Sequence, residues 1–335
     1  MMAIRHISYL LAIALVTVLS ACNSGGSTNV AEGGIGGTGI TTSGQITAFG
    51  SIWVNGIEFE TDSASIFVEG TEEFGDDQDH LDECMVVTVV GTVNADGVSG
   101  TADVVRFADE MEGTVDANNV AASNTLTVMS QTVTVTASTC FEDDSGASIA
   151  SLADIPVNAV VEVSGFSDGQ GNIVATRVEV KAGAWTGEEL ELKGVVDNLN
   201  TGAETFEIGA LIIDYSSADL SELGATPLTN GLYVEVESES AIVGGVMDAD
   251  EVELEDEDGE WGHDGDDGEE YELEGVINTI INSEQIEVNG QLVDISDSPE
   301  YENGDLSDLS AGVLVTVEGE FDAFGALVAS EIEFH

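Results

Sequence analysis

The last stretch of the chain, residues 275–335, reads GVINTIINSEQIEVNGQLVDISDSPEYENGDLSDLSAGVLVTVEGEFDAFGALVASEIEFH. It contains short runs in which apolar and polar residues alternate, an Asn289-Gly290 pair between two of them, and a Val315-Thr316-Val317 run near its end. Alternation with a period of two places apolar side chains on one face of a strand, and Asn-Gly accepts the positive φ angles of a type I′ turn. This stretch is therefore predicted to form a small β module that contains a hairpin.

The same landmarks occur in the same order three more times upstream. The opening glycine recurs as Gly44, Gly113, Gly194 and Gly275. The late apolar run recurs at residues 87–89, 161–163, 234–236 and 315–317. A glycine follows that run two residues later in three copies, as Gly91, Gly165 and Gly319, whereas the third copy has Ser238. Landmarks repeated in a fixed order indicate four tandem copies of one unit.

Each copy predicts three strands, a short polar segment and two further strands. The polar segments, such as residues 305–309 and 149–152, are long enough for one or two helical turns. This is the element order of the five-stranded OB barrel. Asn55-Gly56 and Asn289-Gly290 predict hairpins in copies one and four, where copies two and three have Ser130-Gln131 and Gly209-Ala210. We therefore expect an all-β fold of tandem small five-stranded OB-like barrels, each with a short helix between strands.

The repeat spacing also divides the chain into domains. The predicted boundaries are a signal peptide at 1–21, a Gly/Ser/Thr tether at 22–42, OB-like barrels at 43–110, 111–184, 185–255 and 272–335, and an acidic linker at 256–271.

The N-terminal segment is typical of a secretory signal, with Arg5 and His6 before a short apolar run. That run is too short for a permanent membrane-spanning helix. Leu19-Ser20-Ala21-Cys22 resembles the bacterial lipoprotein signal, which implies that Cys22 is lipidated; the alternative is an ordinary signal with a coincidental cysteine. By the same resemblance, Asn23 after the cysteine favours the outer membrane. We expect an outer membrane lipoprotein of the cell envelope, periplasmic or surface-exposed.

The first copy also carries a family resemblance. The run from Gly33 to Gly39, followed by FGSIWVNGIEF at residues 49–59, resembles bacterial secreted proteins built from an uncharacterised repeat, a domain of unknown function. Those proteins are typically lipoproteins with several OB-like barrels in tandem. The resemblance spans residues 33–335 and is sharpest in copies one and four. It implies the fold and brings no established activity.

Composition sets limits on the partners of the chain. There are 66 acidic residues against 5 basic ones, for a formal net charge of −61, while hydrophobic residues make up 42% and can supply packed cores. Nucleic-acid affinity depends on Lys and Arg, so DNA and RNA are excluded as partners. The field favours cations instead.

The densest acidic run, residues 255–274, holds 12 carboxylates in 20 residues. The candidate ligands for Ca²⁺, which prefers oxygen donors in flexible loops, are Asp256, Asp258, Asp264, Asp266 and Asp267. Their spacing does not fit an EF-hand loop, and the alternative is a self-repelling, solvated linker. A second acidic cluster has Asp76, Asp77, Asp79, His80, Asp82 and Glu83.

Cys84 and Cys140 are the thiols of the predicted folded region. In an oxidising compartment two such cysteines often pair, which would join copy one to copy two; two buried free thiols are the alternative. Trp53, Trp185 and Trp261 could stack on sugar rings, although Trp53 lies in a predicted strand and is expected in the core.

No catalytic constellation accompanies these features. His80, His263 and His335 follow the predicted signal, and none has a nearby Ser or Cys in a nucleophile–base arrangement. We expect a non-enzymatic, lipid-anchored cell-envelope protein that acts as a repeat scaffold or binding module. The alternative is a Ca²⁺-dependent adhesive or carbohydrate-binding surface protein. The expected partners are the membrane through the anchor, a protein or glycan, and cations, with Ca²⁺ as the sole cofactor candidate.

Overall fold

The computed structural model describes residues 39–73, 77–167, 170–254, 270–289, 291–321 and 326–335. The predicted signal peptide, Cys22 and residues 22–38 of the tether lie outside these ranges. The described chain is all-β and contains no α-helix, and it has no helix long and apolar enough to cross a bilayer.

The strands follow the four sequence copies. The first copy contains β1 (Gly39–Gln45), β2 (Ile52–Val54), β3 (Ile57–Glu60), β4 (Ser65–Val68), β5 (Thr71–Glu73), a 3-10 turn (Asp77–His80), β6 (Val86–Val93) and β7 (Ser99–Phe107). The second contains β8 (Met111–Asn118), β9 (Thr125–Val128), β10 (Gln131–Asp143), a 3-10 turn (Leu152–Asp154), β11 (Val160–Ser167) and β12 (Asn172–Ala182). The third contains β13 (Leu190–Val195), β14 (Asp197–Asn200), β15 (Thr205–Ile208), β16 (Leu211–Asp214), a 3-10 turn (Ser221–Leu223), β17 (Tyr233–Ser238), β18 (Val246–Asp248) and β19 (Glu251–Leu254). The fourth contains β20 (Glu270–Ile280), β21 (Gln285–Val288), β22 (Gln291–Asp294), β23 (Glu300–Glu302), β24 (Leu314–Phe321) and β25 (Leu327–Phe334).

The second copy closes into a five-stranded barrel. Strand β8 pairs with β9, β9 with β10, β10 in parallel with β12, β12 with β11, and β11 back with β8. Alternate residues of these strands point inward, so Leu126, Val128, Val133, Val163 and Val178 are fully buried. Burial of these branched side chains is the main stabilising term of the barrel.

The other copies use related pairings with local changes. In the fourth copy β20 pairs with β21 and β24, β21 with β22, and β25 with both β22 and β24. In the first copy the step from β1 to β2 is a single bridge between Ala48 and Trp53. In the third copy the first strand is divided into β13 and β14 and the last into β18 and β19, and the halves belong to two sheets.

Two pairs of copies share sheets. Strand β1 pairs in parallel with β20, which joins copies one and four, and β8 pairs antiparallel with β13, which joins copies two and three. The prediction that 22–42 is entirely tether is wrong for residues 39–42, because β1 begins at Gly39. Residues 39–42 pair with β6, residues 40–42 also pair with β20, and Ile40 is buried. Likewise β20 begins at Glu270, inside the predicted linker.

The expected short helix between strands is not an α-helix in any described copy. Copies one to three have a single 3-10 turn at this place, and copy four has a turn at residues 306–308. One helical turn fixes several dihedral angles for each hydrogen bond gained, so such short segments do not nucleate a helix. Local side chains compete as well, since Ser307 N donates to Asp305 Oδ1 at 2.8 Å.

The predicted Asn-Gly hairpin of copy one is confirmed. Val54 pairs with Ile57, and Asn55 and Gly56 have φ angles of 48° and 78°. In copy four Asn289 has a φ of 47°, while Gly290 lies outside the described ranges. For copy two the predicted turn pair was wrong by one residue: Val128 pairs with Gln131, so the turn is Met129-Ser130, and both residues have positive φ angles.

The late glycine of the repeat marks a β-bulge. The ladder with the last strand of the copy shifts register at Gly91, Gly165 and Gly319. A Cβ at any of these glycines would collide with a carbonyl oxygen of the neighbouring strand. In the third copy, which has Ser238 there, the β17–β19 ladder ends at the Glu237–Glu251 pair, and Ser238 Oγ donates to the Asp248 carbonyl at 2.7 Å.

Candidate functional site

A row of glutamates crosses the sheet that copies two and three share. Directly paired positions on β19, β17, β13, β8, β11, β12 and β10 are occupied by Glu251, Glu237, Glu191, Glu112, Glu162, Glu179 and Glu142. Paired residues point to the same face of a sheet with Cβ atoms about 5 Å apart, and like charges at such positions repel. We call these seven residues the glutamate row.

The electrostatics of the row follow from burial and crowding. Burial raises the pKa of Glu237 to about 7, and neighbouring carboxylates, Glu189 first, add to this effect. Burial and the charge of Glu69 likewise raise the pKa of Glu191 to about 7. Burial also raises the pKa of Glu112 and of Glu179, and for Glu179 this outweighs the opposing effect of Arg177.

Scarce positive charge is concentrated beside this row. The Arg177 side chain is 2% exposed; its Nη1 lies 2.9 Å from Glu162 Oε1, and its Nη2 lies 2.8 Å from Glu179 Oε2. The same Nη2 contacts Glu142 of copy two and lies 3.3 Å from Asp82 Oδ2 of copy one. One guanidinium therefore joins two copies through four carboxylates, which we call the Arg177 clamp.

A disulfide bond lies at the same interface. Cys84 of copy one and Cys140 of copy two are bonded, with their Cα atoms 6.1 Å apart. Asp82 precedes Cys84 by two residues and Glu142 follows Cys140 by two, so the covalent link and the Arg177 clamp hold the same pair of copies. The structure thus has the bridged form of the two alternatives that the sequence left open.

A second charged cluster brings together residues of copies one and three. One carboxylate oxygen from each of Glu69, Glu191 and Glu235 lies within 4.8 Å of the other two. Lys193 Nζ is 3.9 Å from Glu69 Oε2 and 3.8 Å from Glu235 Oε2. The backbone N–H of Asp109 donates to Glu69 Oε1 at 2.9 Å. We call Glu69, Asp109, Glu191 and Glu235 the acidic junction.

Asp109 is the most buried member of the acidic junction. Its side chain is 4% exposed, and its Oδ1 atom has no hydrogen-bond partner among the described residues. Burial, followed by the charge of Glu69, raises the pKa of this carboxyl well above its usual range, while Lys193 opposes the rise.

The predicted metal ligands of the acidic run, Asp256, Asp258, Asp264, Asp266 and Asp267, lie outside the described residues. Of the second predicted cluster, Asp82 belongs to the Arg177 clamp, and His80 Nε2 lies 3.6 Å from Glu73 Oε2. Asp76 and the side chains of Asp77 and Asp79 are also outside the described part of the chain.

The two tryptophans within the described residues are both partly buried. Trp53 is half-buried in β2, and Trp185 packs against the core while its Nε1 donates to the Glu188 carbonyl at 2.7 Å. Trp261 is outside the described residues. A cleft of about 510 Å³ lies in copy four instead, and its lining includes Phe321, Glu320 and Asp297.

The sequence reasoning missed both the Arg177 clamp and the acidic junction. A signal was present, because so few basic residues stand against 66 acidic ones that each basic position is informative. In the described chain Arg177, Lys181 and Lys193 lie beside the glutamate row, and Lys181 Nζ is 2.7 Å from Glu162 Oε2.

The family model described as "Domain of unknown function (DUF5666)" matches residues 39–105, 112–179 and 274–333, which are copies one, two and four. A search of curated proteins finds no match to the chain. The three matches cover more than half of the sequence, and they coincide with copies whose strands follow the repeat described above. The chain therefore belongs to this family of a domain of unknown function, which it carries in tandem.

Proposed function

We propose that the chain is a non-enzymatic, lipid-anchored protein of the cell envelope, in which four OB-like barrels form one acidic scaffold that presents a binding surface. The observation that carries this proposal is the sharing of sheets, by β1 with β20 and by β8 with β13. Copies whose strands pair within one sheet cannot move independently of each other. Such a body suits a role in holding partners at the membrane.

The four-barrel part of the proposal rests on the strand pairings. The second copy is a closed barrel, and the fourth repeats its circuit of pairings. The third copy contributes the parallel β16–β18 pairing and the antiparallel β13–β17 and β17–β19 pairings in the same relative places, although its outer strands are divided. We therefore assign residues 185–255, which the family model does not match, to the same repeat.

The shared sheets predict how many unfolding transitions the protein shows in calorimetry. We expect the copies to unfold together in one or two transitions, since separating any copy breaks a strand pairing or the Arg177 clamp, and the disulfide keeps copies one and two joined. Differential scanning calorimetry on the intact, oxidised protein measures this. Four independent transitions would contradict the scaffold.

Lipid anchoring is supported by the Leu19-to-Cys22 tetrad. We expect the wild-type protein to fractionate with membranes and the Cys22→Ser variant to be released into the soluble fraction. Cys84→Ser/Cys140→Ser is the matched control, because it also replaces cysteine by serine and should stay with the membrane. A Cys22→Ser variant that remains membrane-bound would remove the anchor from the proposal.

The non-enzymatic part rests on how the candidate nucleophiles and bases are engaged. Cys84 and Cys140 are bonded to each other, and His335 Nε2 is hydrogen-bonded to Thr316 Oγ1 at 2.8 Å. The proposed partners are the membrane, an envelope protein or glycan, and cations; the charge excludes nucleic acid.

The second candidate function is Ca²⁺-dependent adhesion or carbohydrate binding. The cleft of copy four favours it, because Phe321 offers an aromatic surface and Glu320 and Asp297 supply polar groups. A glycan array probed with the full chain in Ca²⁺ and in EDTA tests this function. Binding that Phe321→Ala abolishes would favour it over the scaffold alone.

A further inference from the structure

The buried apolar side chains of the described residues form three separate cores. One core lies within copy one, one lies within copy four, and one is shared by copies two and three. In the described part of the chain, no core contains residues of copy one together with residues of copies two or three. Parts of one chain that do not share a large apolar interface are expected to move relative to each other. The position of copy one against copies two and three therefore depends on other contacts.

Copy one meets copies two and three beside the glutamate row. Arg177 and Cys140 are directly paired on β12 and β10, and Lys193 is paired with Glu235 on β13 and β17. Each of these four residues is two positions from a member of the glutamate row, so all four point to the same face of the sheet as that row. Arg177 and Lys193 are buried on this face.

Two ion pairs and one disulfide connect copy one to this face. Asp82 Oδ2 lies 3.3 Å from Arg177 Nη2, and Glu69 Oε2 lies 3.9 Å from Lys193 Nζ. The third contact is the bond between Cys84 and Cys140. Asp82 and Glu69 are exposed, and ion pairs in contact with water contribute little because solvent screens them. We call these three contacts the polar seam, of which the disulfide is the covalent part.

The chain passes from copy one to copy two through residues 108–110, which join β7 to β8. Within this linker the backbone N–H of Asp109 donates to Glu69 Oε1 at 2.9 Å, so this hydrogen bond forms when the polar seam is closed. Copy four is joined to copy one by the β1–β20 pairing, and its Asn278 Nδ2 donates to the Ser167 carbonyl oxygen of copy two at 3.3 Å. A turn about residues 108–110 therefore moves copies one and four together, and it breaks polar contacts rather than a shared core.

The carboxylates at the polar seam favour its closure at low pH. Burial, followed by the charge of Glu69, raises the pKa of Glu191 to about 7. Burial and then the charge of Glu142 raise the pKa of Asp82, while Arg177 opposes that rise. Opening separates these groups, so the closed state binds the protons more tightly; this support for closure is complete below the usual glutamate pKa of about 4.5 and is lost as the pH rises through 7. The other charged groups at these two carboxyls are Glu112, Asp144, Glu162, Glu189 and Glu237, together with Asp109, Lys193 and Glu235 of the neighbouring cluster.

We propose that the Cys84–Cys140 disulfide holds the polar seam closed, and that its reduction lets copies one and four turn about residues 108–110 at pH 8 but not at pH 5. A dithiol reductant supplies the two electrons and two protons that convert the disulfide to two thiols, and it is itself oxidised to a disulfide. The open form exposes Arg177 and Lys193, which are buried in the closed form. Opening depends neither on lipid anchoring nor on the partner of the scaffold.

Hydrogen exchange of the full chain, followed by mass spectrometry of peptides that contain Asp109, tests the proposal. At pH 8 we expect the Asp109 amide to exchange about tenfold faster in the reduced protein than in the oxidised protein, because its bond to Glu69 is lost when the polar seam opens. At pH 5 the two forms should exchange alike. Cys84→Ala/Cys140→Ala should behave like the reduced wild type in the absence of reductant. Amides of β9 and β10, within the barrel of copy two, should stay protected in every sample, which separates opening from unfolding.

Two glutamine variants in the Cys84→Ala/Cys140→Ala background test the electrostatic part. Glu191→Gln should reduce the difference in Asp109 exchange between the two pH values, because Glu69 then faces a neutral group across the polar seam. Glu251→Gln is the matched control, since it removes a carboxylate from the same row two strands away and should leave the difference unchanged. Equal effects of the two variants would contradict the proposal.

Two results of the exchange experiment would overturn the role of the disulfide. The first is exchange at Asp109 that is the same in oxidised and reduced protein at pH 8, or that differs between them equally at pH 5 and pH 8. The second is a loss of protection in β9 and β10 together with Asp109, because the disulfide would then hold the fold of copy two rather than the polar seam.

Discussion

At the scale of single residues, Arg177 is a buried cation whose carboxylate partners lie mainly within copy two, with Asp82 as its contact in copy one. Its carboxylate partners differ in their exposure to solvent. The Glu162 and Glu179 side chains are 11% and 8% exposed, whereas those of Glu142 and Asp82 are 47% and 53% exposed. Ion pairs that remain in water contribute little because solvent screens them. Pairing with the two buried glutamates therefore accounts for most of the stabilising effect.

Arg177→Met is expected to lower the free energy of unfolding by about 3–5 kcal/mol, because it leaves buried carboxylates without their counter-charge. Urea denaturation at pH 7.5 measures the change. Arg106→Met is the matched control, since it removes the same charge from a guanidinium that lies 5.4 Å above the Phe67 ring and should cost only about 0.5–1 kcal/mol. Equal losses in the two variants would mean that net charge, rather than the Arg177 clamp, explains the effect.

Sequence reasoning at this scale identified Cys84 and Cys140 because thiols are rare, but it did not find Arg177 or Lys193. The difference is physical. When a folded region has two cysteines in an oxidising compartment, each has one possible partner for a disulfide. A basic residue among 66 carboxylates has no unique partner until the fold brings particular strands together.

At the scale of elements, the late glycine of copies one, two and four is a repeated feature of the sequence, and the structure explains it as the site of a β-bulge. At Gly319 the β24 strand bulges and its backbone approaches the Val328 carbonyl oxygen. We expect Gly319→Ala to cost about 1–3 kcal/mol, as overpacking in a fitted strand does. Gly183→Ala is the control, because a Cβ there meets nothing within 4 Å, and it should be neutral or slightly stabilising. Thermal melts compare the two variants, and equal Tm values would contradict this account of the bulge.

The glutamate row predicts an unusual dependence of stability on pH. Folding raises the pKa of Glu237 from about 4.5 to about 7, so the folded state binds that proton more tightly than the unfolded state. Its contribution to stability is complete below the unfolded pKa and is lost as the pH rises through 7. Carboxylates whose pKa is lowered by folding behave oppositely. Hydrogen bonds from Thr186 lower the pKa of Glu188 to about 2, so its contribution to stability is present at neutral pH and is lost as the pH falls toward 2.

We therefore expect the Tm to rise when the pH is lowered from 8 to about 5 and to fall again below about pH 4. Calorimetry in EDTA at constant ionic strength measures this profile. Glu237→Gln should reduce the rise between pH 8 and 5, because that position no longer titrates while Glu191 still does, and the loss below pH 4 should remain. A Tm that decreases steadily from pH 8 to 5 in the wild type would contradict the burial of the row.

Strands and hairpins were predictable because they depend on local patterns, such as the alternation of Ile286-Glu287-Val288 or the Asn55-Gly56 turn. The glutamate row was not predictable, because its register joins seven strands that are distant in sequence. Period-two alternation shows that each of these glutamates points away from its barrel core, but only the pairing between copies shows that they point toward one another.

At the scale of the whole molecule, the sequence predicted four copies but not how they associate. Parallel pairing of β1 with β20 joins segments separated by more than 200 residues. Nothing in the local composition of either strand distinguishes this partner from another exposed edge. The barrel begins before the predicted tether ends, because residues 39–42 pair with β6 within copy one and residues 40–42 also pair with β20 of copy four.

The charge of the whole molecule leads to a prediction about salt. With 66 acidic against 5 basic residues, folding brings carboxylates closer together than in the extended chain, and their mutual repulsion opposes it. Raising NaCl from about 0.01 to about 0.15 M shortens the screening length from about 30 to about 8 Å. We expect the Tm at pH 7.5 in EDTA to rise steeply over this range, because salt screens the repulsion between distant carboxylates. It should then level off, because neighbouring carboxylates about 5 Å apart in the glutamate row are screened least. The slope should be smaller at pH 5, where row members such as Glu237 are protonated. A Tm that does not change with NaCl at pH 7.5 in EDTA would show that carboxylate repulsion does not limit the stability of the folded chain.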